Sequence, residues 1–145
     1  MDRLKEQLDS GKETIFLTHG WLGSFASGRF WLDPIIQMSK EHAQVVFVDW
    51  SDAASSSYYL PTLSNLRPVA TISAGVITKL IDELAFDPMK IRLIGFSLGA
   101  HLVGFTGKLL TGKYKLARIT GLEPANAGFE MSSESGSLVR KAITC

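Results

Sequence analysis

Ile91-Arg92-Leu93-Ile94-Gly95-Phe96-Ser97-Leu98-Gly99-Ala100-His101 decides how this chain is read. Residues 91–95, IRLIG, are a short apolar run of the kind that forms a buried strand. The run passes directly into FSLGAHLVGFTGKLLTG, where Leu98, Leu102, Phe105 and Leu109 recur at helical spacing. A strand is therefore predicted to turn into a helix at Ser97. Gly95-Phe96-Ser97-Leu98-Gly99 fits G-x-S-x-G at that junction. Such a turn must be sharp enough to push a Ser Oγ clear of the sheet, and flanking side chains would clash unless Gly stands two positions before and two after. The five-residue pattern is weak by itself in a Gly-rich chain, and its position between strand and helix gives it weight. The competing reading is a buried serine that caps a helix N-terminus.

Working outward, TIFLT at 14–18 is a β-branched and aromatic run that stops at His19-Gly20, so a strand ending in a turn is expected. WLGSFASG reads as loop. A helix is expected from about Arg29 to His42, with Trp31, Ile35 and Met38 on one face and Pro34 near its first turn. Gln44–Trp50, QVVFVDW, is almost continuously apolar, as for a strand buried on both faces. SDAASSSYYLPTLSN then reads as a long irregular connection. From Pro68 to about Phe86, Val69, Ile72, Val76, Ile77, Leu80, Ile81 and Leu84 keep a 3.6-residue period, giving an amphipathic helix with Pro in its first turn and a stop at Asp87-Pro88. LARITGL at 116–122 is the last strand candidate, and the tail from Met131 to Cys145 is Ser-rich and weakly patterned. Strands separated by helices must pair in parallel through crossovers, so the class is α/β, a mostly parallel sheet with helices on both faces.

The whole chain has 145 residues, 46% hydrophobic and 20% charged, with 13 Gly and 5 Pro. That is the composition of one globular domain and excludes disorder as the main state. Fifteen Lys and Arg against 14 Asp and Glu leave a net charge of +1, so no broad field attracts nucleic acid. No run approaches the roughly 20 apolar residues of a membrane span, and the opening MDRLKEQLDSGKE has no apolar stretch that could serve as a signal peptide. The single Cys145 allows no intramolecular disulfide.

A nucleophilic Ser needs donors for the charge that develops on a carbonyl oxygen, and backbone N–H groups at a helix start suit that need. Leu98 N–H is one candidate. The second should come from the loop after an earlier strand, here His19-Gly20-Trp21-Leu22, which makes Trp21 N–H the other. An acid should follow the Ser at the end of a later strand, and Glu123 stands there, although by sequence alone a solvated carboxylate in a turn before Pro124 is the simpler account.

FLTHGWLGS, VVFVDW, SYYLPTLSN, IRLIGFSLGAHLVGFTGK and ITGLEPANAGFE together resemble the pancreatic-lipase-like family of animal triglyceride lipases and phospholipases A1, within the α/β-hydrolase fold. The match runs from about Thr14 to Glu130. The resemblance implies a hydrolase of lipid esters that uses no cofactor or metal, with Ser97 as nucleophile, Glu123 in the acid position and the Trp21 and Leu98 amides as oxyanion hole. It also implies that QVVFVDW and LARITGL form the two edges of the four-stranded sheet, edges that invite aggregation when exposed. This chain departs from the family in having Phe96 where His is usual and Glu123 where Asp is usual. Phe96 is expected to alter only the packing around the turn, while Glu123 adds a methylene between backbone and carboxylate.

The family's catalytic His lies beyond the acid, and no His follows His101 in these 145 residues. His101, four residues after Ser97, matches a position where the family has a second, non-catalytic His. His19 is expected to be structural and His42 solvated near a helix C-terminus. Loss of the triad His in a serine protease costs on the order of 10⁶ in kcat. The expectation is that residues 1–145 are a single incomplete lipase domain, inactive by itself, whose partner is a lipid or lipid–water interface. The alternative is a non-catalytic lipid-binding or yolk-type relative. An extracellular location follows from the resemblance alone, and the oligomeric state is left open.

Overall fold

In a computed structural model of the chain, residues 6–129 are described. The expected Ser-rich tail from Met131 and Cys145 lie outside the described residues. The elements are β1 (Glu13–Thr18), α1 (Phe25–Ser39), β2 (Ala43–Val48), α2 (Ser51–Ala54), α3 (Tyr59–Leu84), a 3-10 turn (Pro88–Lys90), β3 (Ile91–Phe96), α4 (Leu98–Leu110) and β4 (Arg118–Leu122). The strands lie in the order β2-β1-β3-β4 and every pair is parallel. The α/β class is as expected, and β2 and β4 are the edges.

Side chains alternate across the sheet. Phe16, Ile91 and Leu93 face α3 and α4, where they join Ala74, Ile77, Leu80, Val103 and Leu110. Ile15 and Leu17 point the other way, to Leu32 of α1, with Ile35, Val45 and Phe47 around them. Among the described residues, one side is thus a two-helix layer and the other is covered by α1. At the carboxyl end of the strands Trp50, Ala54, Leu66, Leu98, Leu102 and Phe129 close a third cluster. At about 25 cal/mol per Å² of apolar surface, fully burying a Leu or Phe contributes roughly 1.5–3 kcal/mol, and these clusters hold the framework of the site.

Several local expectations are corrected. α1 starts at Phe25, not Arg29, because Ser24 caps it in a reciprocal capping box with Ser27 and the Phe25 amide is held by Asp49 Oδ2 at 3.1 Å. Pro34 therefore falls inside the helix, beyond its first turn, and the buried face is Leu32 with Ile35 while Met38 is 84% exposed. The stretch expected to be irregular holds α2 and the first turns of α3, which places Pro68 in mid-helix. The buried stripe of α3 runs through the small Thr62, Ala70 and Ala74 together with Leu66, Ile77 and Leu80, and the bulky Ile72 is exposed. α3 ends at Leu84, where Ala85 turns left-handed. β2 is half-buried along most of its length, since it is an edge, and β4 begins at Arg118. In α4 the buried residues extend well round the helix and Leu110 replaces Leu109 among them.

Candidate active site

In a parallel sheet, the loops that follow the strands all leave from one edge. Thr18 lies opposite Gly95, and Phe96 opposite Leu122. The loops after β1, β3 and β4, which carry His19 to Gly23, Ser97 and Glu123, therefore emerge side by side.

Ser97 joins β3 to α4 with φ 55° and ψ −120°. An L-residue holds such a conformation at a cost of about 1–3 kcal/mol, and only where the surroundings over-determine it. Here they do. The Ser97 amide donates to Leu122 O at 2.9 Å, and its carbonyl accepts from Ala100 N–H at 3.0 Å. The side chain makes no capping bond to α4. A capping serine has extended backbone and turns its oxygen onto the helix amides, so that competing account fails on both counts.

Absent side chains make the turn possible. A Cβ on Gly95 would strike the Gly99 carbonyl, and one on Gly99 would lie 2.5 Å from His19 O. A Cβ on Gly20 would lie 2.8 Å from Ser97 Cβ and 3.1 Å from its Oγ. The β1 loop and the serine turn are thus in direct contact. Phe96, partly exposed on the other side of β3, carries a half-open ring beside the turn.

Both candidate amides are at hand. Leu98 N–H is the first of α4, where the helix has no internal acceptor for it. Trp21 follows Gly20 in a tight turn closed by Gly23 N–H to Gly20 O at 3.1 Å, with Leu22 at φ 54°. Among the described residues neither amide donates a hydrogen bond. The turn is tied outward as well: Leu22 N–H donates to Ala54 O at 3.1 Å, Trp21 Nε1 donates to Ser56 O at 2.9 Å, and the indole stands edge-on to Tyr59.

His19 is buried under this turn. Its Nδ1 is 2.8 Å from Gly20 O, a carbonyl, so that nitrogen carries the proton. Its Nε2 meets Asp49 Oδ1 at 3.0 Å and Trp50 N–H at 3.1 Å. The ring is stacked against Phe47 and Trp50, and Trp50 Nε1 donates back to His19 O at 2.8 Å. Partial desolvation alone would raise the Asp49 carboxyl. The amides of Ser51 and Phe25, with the Ser51 hydroxyl and His19, outweigh it and hold the group below the usual carboxylate range.

Glu123 is exposed, with φ 44°. The loop it opens is anchored by His101, whose Nε2 donates to Ala125 O at 2.6 Å and whose ring stacks on Phe129 with centroids 3.5 Å apart. Burial pushes the His101 pKa down, more than the Ala125 carbonyl raises it, so the ring stays neutral. Among the described residues no hydrogen bond joins any of the three His to Ser97; His42 lies exposed beyond α1. Sequence reasoning missed Asp49 and Trp50. The signal available was their place at the carboxyl end of a strand, where parallel sheets collect functional groups.

A family model described as Lipase matches residues 4–142. The chain belongs to the lipase family. It is 34% identical over 128 residues to the hepatic triacylglycerol lipase of Mus musculus, covering 86% of this chain and 25% of that one. With the phospholipase A1 of Vespula maculifrons it shares 34% over 131 residues, covering 82% and 43%. Lipase member H of Rattus norvegicus is 37% identical over 124 residues, covering 84% and 27%. This lipase-family chain thus spans a quarter to less than half the length of these relatives. A solved lipase/esterase from Lactobacillus plantarum aligns with a TM-score of 0.48 at 21% identity, covering 90% of this chain and 56% of that one.

Proposed function

We propose that the chain carries the nucleophile side of a lipid ester hydrolase. Ser97 Oγ attacks the ester carbonyl and gives its proton to a general base, the Trp21 and Leu98 N–H groups donate to the oxyanion, the alcohol leaves with that proton, and water releases the acyl group as an acid and restores Ser97. Glu123 fills the acid position. Since His19 and His101 are committed to backbone carbonyls and His42 is remote from the turn in the fold, the general base is a group outside these three. The observation that carries this reading is the left-handed Ser97, held by its own backbone bonds between glycines that admit no Cβ. Such strain is retained where it serves function.

The substrate class, triglyceride or phospholipid, is read from the relatives' names together with an apolar rim. Trp21 and Leu22 in the loop after β1, Tyr58 at the N-cap of α3 and Leu60 in its first turn are exposed, a surface suited to a lipid–water interface. Among the described residues no helix is long and apolar enough to cross a membrane. The test is turnover of a short-chain ester and an emulsified lipid by the longest natural product that contains these residues, with Ser97→Ala as control. Hydrolysis lost in Ser97→Ala supports the proposal, and hydrolysis that survives it refutes the assignment of Ser97.

A second reading, a non-catalytic lipid-binding or yolk-type relative, is favoured by one observation: the Glu123 carboxylate makes no hydrogen bond among the described residues. Lipid binding without turnover in the same assay would support it.

A further inference from the structure

We propose that His19 is a positioning residue that aims the Trp21 amide at the oxyanion, through the peptide plane that Trp21 N–H shares with Gly20 C=O. The inference rests on the proposed hydrolase reading. A trans peptide is planar, with its C=O and N–H pointing in opposite directions. Whatever fixes the Gly20 oxygen therefore fixes the direction of the Trp21 N–H. Two donors converge on that oxygen, His19 Nδ1 at 2.8 Å and Gly23 N–H at 3.1 Å.

The Gly23 bond alone is a weak restraint, because it closes a turn whose third residue, Leu22, sits at φ 54°, where a side chain is disfavoured. Rotating the Gly20–Trp21 peptide, about Gly20 ψ and Trp21 φ, would break that bond and turn the Trp21 N–H away. The His19 bond opposes the rotation. His19 itself is fixed on every side: Phe47 and Trp50 stack on the ring, Asp49 Oδ1 and Trp50 N–H meet Nε2, and Trp50 Nε1 holds the main-chain oxygen. Asp49 is fixed in turn by the amides of Phe25 and Ser51. Nε2 accepts from Trp50 N–H, which leaves the ring proton on Nδ1, where it is donated to Gly20 O.

A buried ring that only filled space would be placed differently in experiment. The Asn side-chain amide reproduces Nδ1 and can donate to Gly20 O, whereas Gln places its amide at the Nε2 position, keeping the Asp49 side and giving up Gly20. In the longest natural product that contains these residues, His19→Asn is expected to keep kcat on a soluble short-chain ester within about threefold. His19→Gln is expected to lose about 10²-fold in kcat, the loss seen when an oxyanion donor is removed, with KM little changed. The Trp21 amide proton shift, read by NMR, should follow wild type in His19→Asn and move in His19→Gln.

Equal kcat in the two folded variants, or a better His19→Gln, would overturn the proposal. If His19→Gln does not fold, a folded His19→Asn that loses 10²-fold in kcat overturns it and one that stays within threefold supports it. If wild type turns over no ester, the hydrolase reading fails instead. The amide shifts then still decide whether His19 sets the Trp21 peptide.

Discussion

Gly20 and Ser97 meet edge to edge across the carboxyl end of β1 and β3, so closely that a Cβ on Gly20 would lie 2.8 Å from Ser97 Cβ and 3.1 Å from Oγ. The contact joins the loop bearing one candidate oxyanion amide to the turn bearing the candidate nucleophile. Gly20→Ala should therefore separate the two. The expected outcome is a stability loss of about 1–3 kcal/mol in urea unfolding, from local overpacking, and a larger proportional loss of ester turnover. Equal turnover in Gly20→Ala would show that the contact is incidental.

Glycines packed around α4 differ in what they protect. A methyl on Gly95 would meet the Gly99 backbone, which has nowhere to go, whereas one on Gly107 would meet the flexible end of Ile119. Gly95→Ala is expected to cost about 3 kcal/mol or more and Gly107→Ala about 1 kcal/mol. Thermal unfolding of the two variants checks the order.

Ser97→Gly removes the nucleophile and the penalty for its positive φ together. Gly adopts φ 55° freely, so the variant should be more stable than Ser97→Ala by about 1 kcal/mol, after part of the gain is returned to the unfolded chain's entropy. Denaturant midpoints of the two measure it. A Ser97→Gly no more stable than Ser97→Ala would mean the turn is unstrained.

His101 links pH to stability. Its folded pKa is lowered by burial from the ordinary value of about 6.5. Between the two values the unfolded state binds more protons than the native one, so stability rises with pH across that window and falls as acid enters it. Full stability lies above about 6.5. Urea midpoints should drop from pH 7.5 to 5.5, and His101→Gln, which keeps a donor within reach of Ala125 O, should flatten that dependence. Asp49, lowered by its amide donors, adds a second loss at lower pH, as the medium falls through its folded value.

The parts of the fold legible in sequence are those fixed by local composition. IRLIG running into GFSLG set a strand, a turn and a helix within nine residues, and the structure has β3, Ser97 and α4 there. The start of α1 was hidden because its capping box pairs two serines, Ser24 and Ser27, in a stretch that composition marks as loop. The first turns of α3 were hidden by Ser and Pro, and its contact stripe by Thr62, Ala70 and Ala74, whose small size lets helices approach but carries little apolar signal. The His19–Asp49 pair joins residues 30 positions apart, each one step past the end of neighbouring strands, so it exists only once β1 and β2 are in register.

The central claim is that Ser97 is an activated nucleophile, and a fluorophosphonate probe tests it most directly. The longest natural product that contains these residues should form one covalent adduct, which peptide mass spectrometry places on Ser97 and which Ser97→Ala abolishes. A folded protein that binds lipid and forms no adduct, or forms one on another residue, would contradict the account.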